Sequence, residues 1–254
     1  MLYENREFYI DCDGVKIHSK LDFPKEQKEK MPILVVIPGF TGHIEEEHIL
    51  AVKDTANEAG FAVLRAEMYG HGLSDGDFYD HTLLLWMSEG MRVVRYASKL
   101  PFVSDVYLSG HSQGGLNAVL VAGIMSDVVK VLIPMSPAMC IVHDAKKGNT
   151  LGIEYDTDDL PEYLESPDWK LSGDYIRVAK IIPVKEAVEQ YKGEVFIIHG
   201  TKDSVVPYED AVNLADDYEN ARLVPIEDAD HCYEEHLPEF TAVLKDFLES
   251  KYRP

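Results

Sequence analysis

Apolar and polar positions change period repeatedly along this chain. Residues 7–11 and 15–23 alternate around Asp13-Gly14, a period-two pattern that predicts a β-hairpin. The run Ile33-Leu34-Val35-Val36-Ile37 is continuously apolar and ends at Pro38-Gly39, which suits a strand buried on both faces. Further strand-like runs fall at 62–66, 106–109, 128–135, 195–199 and 223–226. Helical spacing fills the gaps at 48–59 (closed by Gly60), 82–100, 116–125, 208–218 and 238–250. In the second of these, Leu83, Leu84, Trp86, Met87, Met91, Val94 and Ala97 fall at core spacing. Strands alternating with helices predict an α/β fold: a mostly parallel central sheet with helices on both faces. Ligands are then expected at the carboxyl ends of the strands.

One stretch breaks this rhythm. Residues 138–184 contain no run that reads as a buried strand and are rich in Asp, Gly and Pro. A plain loop of that length is out of place in a compact domain. The stretch also carries Leu151, Ile153, Tyr155, Leu160, Tyr163, Trp169, Leu171, Tyr175 and Ile176, too much apolar surface for a disordered linker. The expected organisation is a core made of residues 1–137 and 185–254, with 138–184 inserted as a small cap over the active site.

Composition narrows the function classes. The 254 residues suit one large domain, and a hydrophobic fraction of 46% supplies a core. A net charge of −21 argues against nucleic acid and against docking on anionic lipid, and fits a neutral ester better than an anionic substrate. Residues 1–7 show no basic stretch leading into an apolar one, so no signal peptide is expected, and no segment is apolar for long enough to span a membrane. Three scattered cysteines without a C-x-x-C fit reduced thiols in a cytoplasmic protein. The sequence permits a homodimer without specifying one.

The chemistry begins at Gly110-His111-Ser112-Gln113-Gly114. A G-x-S-x-G between an apolar strand and an apolar helix is the setting of a nucleophile elbow, with the serine on the turn. A serine hydroxyl needs a base, and the base needs an orienting acid, in the chain order Ser, Asp or Glu, His. Asp203 lies in a turn just past the 195–199 strand, which favours the acid role over capping of the helix after Pro207. His231 follows the last strand, which favours the base role, whereas His236 reads as a loop histidine. The oxyanion of the tetrahedral intermediate needs two N–H donors. Gln113 N–H is one, and Phe40 N–H in the Pro38–Gly42 turn is the other. His71, in the glycine-rich stretch 69–76, reads as a structural histidine shaping a turn. The clusters at 43–48 and 231–236 match no metal-ligand spacing, and neither a cofactor nor a metal is called for.

Together these residues make the chain similar to the α/β-hydrolase superfamily over nearly its whole length. Within it, the chain resembles bacterial feruloyl and cinnamoyl esterases. The resemblance rests on Gly39-Phe40-Thr41-Gly42-His43, Met68-Tyr69-Gly70-His71-Gly72, the serine elbow, Gly148-Asn149-Thr150, Tyr175-Ile176-Arg177-Val178-Ala179 and Asp230-His231-Cys232. It implies an α/β-hydrolase fold and a cap that lines an aromatic acyl pocket, with Asp144 and Tyr175 contacting the phenolic ring and Trp169 forming a wall. Asp144 also reads as an ordinary exposed acid, and Tyr175 equally as a core tyrosine. Pro38 stands where that family usually has His, and Leu151 where some members have Gln. The expected activity is hydrolysis of hydroxycinnamate esters, a small aromatic substrate. A monoacylglycerol-type lipase or thioesterase would use the same three residues, and a catalytically silent hydrolase fold serving as a small-molecule receptor is the remote alternative.

Overall fold

The computed structural model describes residues 2–252. Strands β1 (Arg6–Cys12) and β2 (Val15–Asp22) form the antiparallel hairpin, with Asp13 and Gly14 both at positive φ (57° and 91°). The continuously apolar run becomes β3 (Met31–Ile37), buried at every residue. It is followed by β4 (Ala62–Ala66), β5 (Val103–His111) and β6 (Val129–Met135). One eight-stranded sheet in the order β1-β2-β4-β3-β5-β6 continues into two further strands, Glu194–Gly200 and Ala221–Ile226. From β4 onward the pairs are parallel, and only the first two pairs are antiparallel.

Burial on both faces follows from the pleat, which sends successive side chains to opposite sides. Ile33, Val35, Ile37 and Leu108 pack under α2 (Leu83–Ser98) and α3 (Gln113–Ile124). Leu34, Val36, Tyr107 and Ile133 pack against α1 (Glu47–Glu58) and the C-terminal helix Leu237–Lys251. Thr82 caps α2 by accepting a bond from Leu85 N–H at 3.3 Å. One expectation fails here: Leu84 is 51% exposed. The buried stripe runs through Leu83, Trp86, Gly90, Val93, Val94 and Ala97, and Leu84 lies one residue out of that helical phase.

The stretch that broke the rhythm folds as small pieces that stay out of the main sheet. They are α4 (Cys140–Lys147), a hairpin of β7 (Asn149–Thr150) and β8 (Ile153–Glu154), a hairpin of β9 (Tyr163–Glu165) and β10 (Lys170–Ser172), and α5 (Asp174–Ala179). A short helix, α6 (Val184–Gln190), leads back to the sheet as β11 (Glu194–Gly200). What holds the insert down is a third apolar cluster. Leu116 and Leu120 of α3 meet Ile141, Val142, Leu164, Leu171, Tyr175 and Ile176 of the insert, all buried. Each such side chain contributes about 1.5–3 kcal/mol relative to exposure. The chain then closes through α7 (Tyr208–Asp217), β12 (Ala221–Ile226) and α8 (Leu237–Lys251).

Candidate active site

Ser112 sits at the junction of β5 and α3 with φ 57° and ψ −121°, a conformation that costs a non-glycine residue about 1–3 kcal/mol. The surroundings over-determine it. Ser112 N–H donates to Met135 O at 3.0 Å, and Ser112 O accepts from Gly115 N–H, Leu116 N–H and Ala138 N–H. The turn closes only because its neighbours lack side chains. A methyl group on Gly110 would lie 2.1 Å from Gly114 O, and one on Gly114 would lie 2.3 Å from the carbonyl oxygens of Ile37 and Pro38.

The chain order now becomes a hydrogen-bond line. Asp203 follows β11, and its side chain is fully buried. Its Oδ2 accepts from His231 Nδ1 at 2.6 Å, and its Oδ1 accepts from Val205 N–H and Val206 N–H, each at 2.8 Å. A second histidine, His199 at the end of β11, brings Nε2 to 3.1 Å from the same Oδ2. Burial opposes ionisation of Asp203, but the bonds from His199, His231 and Val206 outweigh it and hold the carboxyl well below the usual range. With Nδ1 engaged, His231 keeps Nε2 for a hydroxyl, and it lines one pocket with Ser112. His111, the residue before the serine, donates Nε2–H to His231 O at 2.8 Å and so ties the serine turn to the His231 loop. Sequence reasoning missed both His199 and His111. Their sole signal is position, one on each of two inner strands at the carboxyl end.

The loop after β3 lies against the serine: a methyl on Gly39 would sit 3.1 Å from Ser112 Cβ. Among the described residues no protein acceptor takes Phe40 N–H or Gln113 N–H. Thr41 N–H, next along, donates to His71 Nε2 at 3.2 Å, while His71 Nδ1 faces Tyr69 O at 3.0 Å. That pair of bonds fixes the neutral tautomer of His71, and burial lowers its pKa in the same direction. His71 therefore braces the Phe40 loop from behind.

The pocket at Ser112 has a volume of about 580 Å³. Phe40, Ile141, Leu151, Trp169 and Val206 supply apolar walls, and Asp144 and Asn149 are polar groups on the insert side. Trp169 stands edge-on to Phe40, with ring centroids 5.2 Å apart. Asp144 is held by His143 Nδ1 at 2.8 Å, and His143 Nε2 reaches Asp210 at 3.2 Å. Tyr175 is different, and its reading as a ring contact is corrected. It is fully buried and absent from the pocket wall, and its hydroxyl donates to Gln113 Oε1 at 2.6 Å. A buried phenol needs a partner, and Gln113 supplies it. Among the described residues the clusters at 43–48 and 231–236 do not converge as metal ligands. The one converging set, His48, His111 and Cys232, draws on three separate segments.

A mostly parallel sheet, a strained serine at the turn from β5 into α3, and a histidine–aspartate pair on the loops after β12 and β11 define an α/β-hydrolase. A model of the prolyl oligopeptidase family matches residues 49–252, and the chain belongs to that family. It is similar to Est1E from Butyrivibrio proteoclasticus, solved with ferulic acid bound. That likeness reaches 48% identity and a TM-score of 0.94, covering 96% of this chain and 98% of that one. Human mitochondrial palmitoyl-protein thioesterase ABHD10 is 24% identical over 200 residues, 76% of this chain and 63% of its own length. The chain thus spans less than two thirds of that relative. Mouse alpha/beta hydrolase domain-containing protein 10 shares the fold at a TM-score of 0.78 and 18% identity, over 97% of this chain and all of that one.

Proposed function

We propose that the protein is a serine carboxylic-ester hydrolase acting on hydroxycinnamate esters. The observation that carries this reading is the Asp203–His231 bond beside Ser112, in a pocket walled by Phe40 and Trp169. Ser112 Oγ attacks the ester carbonyl while His231 Nε2 takes its proton. The oxyanion is received by Phe40 N–H and Gln113 N–H, and Gln113 adds the positive end of α3. His231 returns the proton to the departing alcohol, leaving the acyl group on Ser112. Water then gives a proton to His231 and attacks the acyl carbonyl, and His231 passes that proton to Ser112 Oγ as the acid leaves. Asp203 holds the imidazole tautomer and stabilises the imidazolium throughout.

The residues 138–184 act as the cap, with Asp144 meeting ring substituents and Trp169 packing on the ring. The bound ferulic acid of the Est1E structure, at 48% identity, supports the aromatic acyl group. Three unpaired cysteines support a cytoplasmic setting. Among the described residues no helix is long and apolar enough to cross a membrane. Ile141, Leu151, Val205 and Val206 also line the pocket, which favours a thioesterase or lipase as the second reading.

Turnover of methyl ferulate, p-nitrophenyl alkanoates and acyl thioesters separates these readings. Higher kcat/KM for methyl ferulate than for an aliphatic ester of similar size is expected, and the reverse would transfer the assignment to the second reading. A fluorophosphonate probe should label wild-type protein but not Ser112→Ala, which should keep its fold and lose methyl ferulate turnover by about 10⁴-fold or more. Activity retained in that variant would remove Ser112 from the mechanism.

A further inference from the structure

We propose that His48, His111 and Cys232 form a binding site for a thiophilic divalent cation such as Zn2+ or Cd2+, and that its occupation arrests ester turnover. One ligand atom from each residue lies within 4.8 Å of the other two. The three come from α1, from the end of β5 and from the loop after β12, so no local spacing in the sequence reveals them.

The donor set fits such a cation in kind and in state. Two imidazoles and one thiol are the ligand types that borderline and soft cations select over magnesium or calcium. His111 donates Nε2–H to the carbonyl of His231, which can only accept, so Nδ1 carries a free lone pair. His48 is 5% exposed, and its Nε2 has no hydrogen-bond partner among the described residues. A buried imidazole nitrogen without a partner is an uncompensated cost that a ligand would relieve. Glu46 Oε2, 3.9 Å from His48 Nε2, is buried and equally unpartnered, and it adds a carboxylate beside the site. An entry path exists because Glu46, His111 and Cys232 line the open pocket at Ser112. The net charge of −21 draws cations toward the molecule.

Metal–nitrogen and metal–sulfur bonds of about 2.0–2.3 Å require the donors to close by roughly 1 Å. Half-buried Cys232, on a loop, is the member free to move. On coordination the thiol proton passes to solvent, and the sulfur lone pair forms the bond to the cation. No other bond is broken. Cys232 follows His231 and His111 precedes Ser112, so fixing these two on one ion displaces the imidazole relative to the serine hydroxyl. The cation also occupies pocket wall that the substrate needs.

The test is titration of the full-length, chelator-treated protein with Cd2+, followed by the ultraviolet cadmium–thiolate charge-transfer band. One equivalent should bind. Cys232→Ser should lose the band and weaken binding by more than about tenfold. Cys140→Ser should keep the band, and His48→Phe should weaken binding. Zn2+ inhibition of methyl ferulate hydrolysis, scored against each variant's own metal-free rate, should be relieved in Cys232→Ser. Absence of the band in wild type, its persistence in Cys232→Ser, or its loss in Cys140→Ser alone overturns the site. Stoichiometric binding without inhibition overturns the arrest. The band is read without substrate, so the site can fail while the esterase reading stands.

Discussion

Two carboxylate–imidazole pairs flank the same pocket, and they differ in everything except their first bond. His231 meets Asp203 through Nδ1 at 2.6 Å, and His143 meets Asp144 through Nδ1 at 2.8 Å. Asp203 is fully buried and receives further bonds from His199, Val205 and Val206, whereas Asp144 and His143 are 39% and 46% exposed. Water reaches the second pair and weakens its bond. The remaining ring nitrogen separates them further. His231 keeps Nε2 for a proton in flight, while His143 commits Nε2 to Asp210. A histidine held at one nitrogen can act as a base, and a histidine held at both is a brace. On the proposed function, the core pair serves chemistry and the pair at 143–144 serves recognition.

The sharpest way to break this comparison is to exchange each carboxylate for its amide. Asp203→Asn should lower kcat by about 10⁴-fold through the wrong imidazole tautomer. Asp144→Asn should change kcat/KM for methyl ferulate by less than about tenfold, mainly through KM. Equal losses in the two variants would erase the distinction.

Acid titration of stability tests the shielded side next. Burial first, then neighbouring histidine charge, lowers the pKa of His48 from 6.5 to about 4, and burial also takes His81 to about 3. These two rings thus bind fewer protons in the folded chain than in the unfolded one below pH 6.5, so their contribution to stability falls as pH drops from 6.5 toward 4, against the opposite contribution of Glu89, whose pKa burial raises to about 7. Each such histidine contributes up to about 1.4 kcal/mol per pH unit. Thermal melts across that range should show the slope, and His48→Phe should flatten it. A slope in His48→Phe as steep as that of wild type would contradict the burial of His48.

The smallest effect concerns the contact between insert and core. Tyr175→Phe leaves Gln113 Oε1 without its donor and should cost about 1–3 kcal/mol in chemical denaturation. Its kcat on methyl ferulate should fall by less than Asp203→Asn does. An unchanged stability would mean that the bond is not formed in solution.

The sheet was legible because period and burial agree: the unbroken run 33–37 could hardly be anything but an inner strand, and Asp13-Gly14 demanded a turn. The pairing of Asp203 with His231 was legible because both follow strands at the same end of the sheet. Tyr175 was left between a ring contact and a core tyrosine because motif position says nothing about which way a ring turns, and its burial is decided by Leu116, Leu120 and Ile176. His199 escaped notice because an inward histidine on an apolar strand looks the same in sequence whether it touches Asp203 or not. Leu84 shows the limit of periodicity, since adjacent leucines leave the helical phase ambiguous by one residue.

The hydroxyl of Tyr175 on the side chain of Gln113 also bears on protein engineering. Gln113 lends its backbone N–H to the proposed oxyanion site and its side chain to the insert, so one residue belongs to both modules. A chimera that replaces residues 138–184 with the corresponding stretch of another hydrolase would strand that amide unless the donor segment brings its own hydroxyl to the same spot. The stretch 138–184 is therefore not a freely interchangeable cassette, and position 113 is the seam along which any graft must be matched.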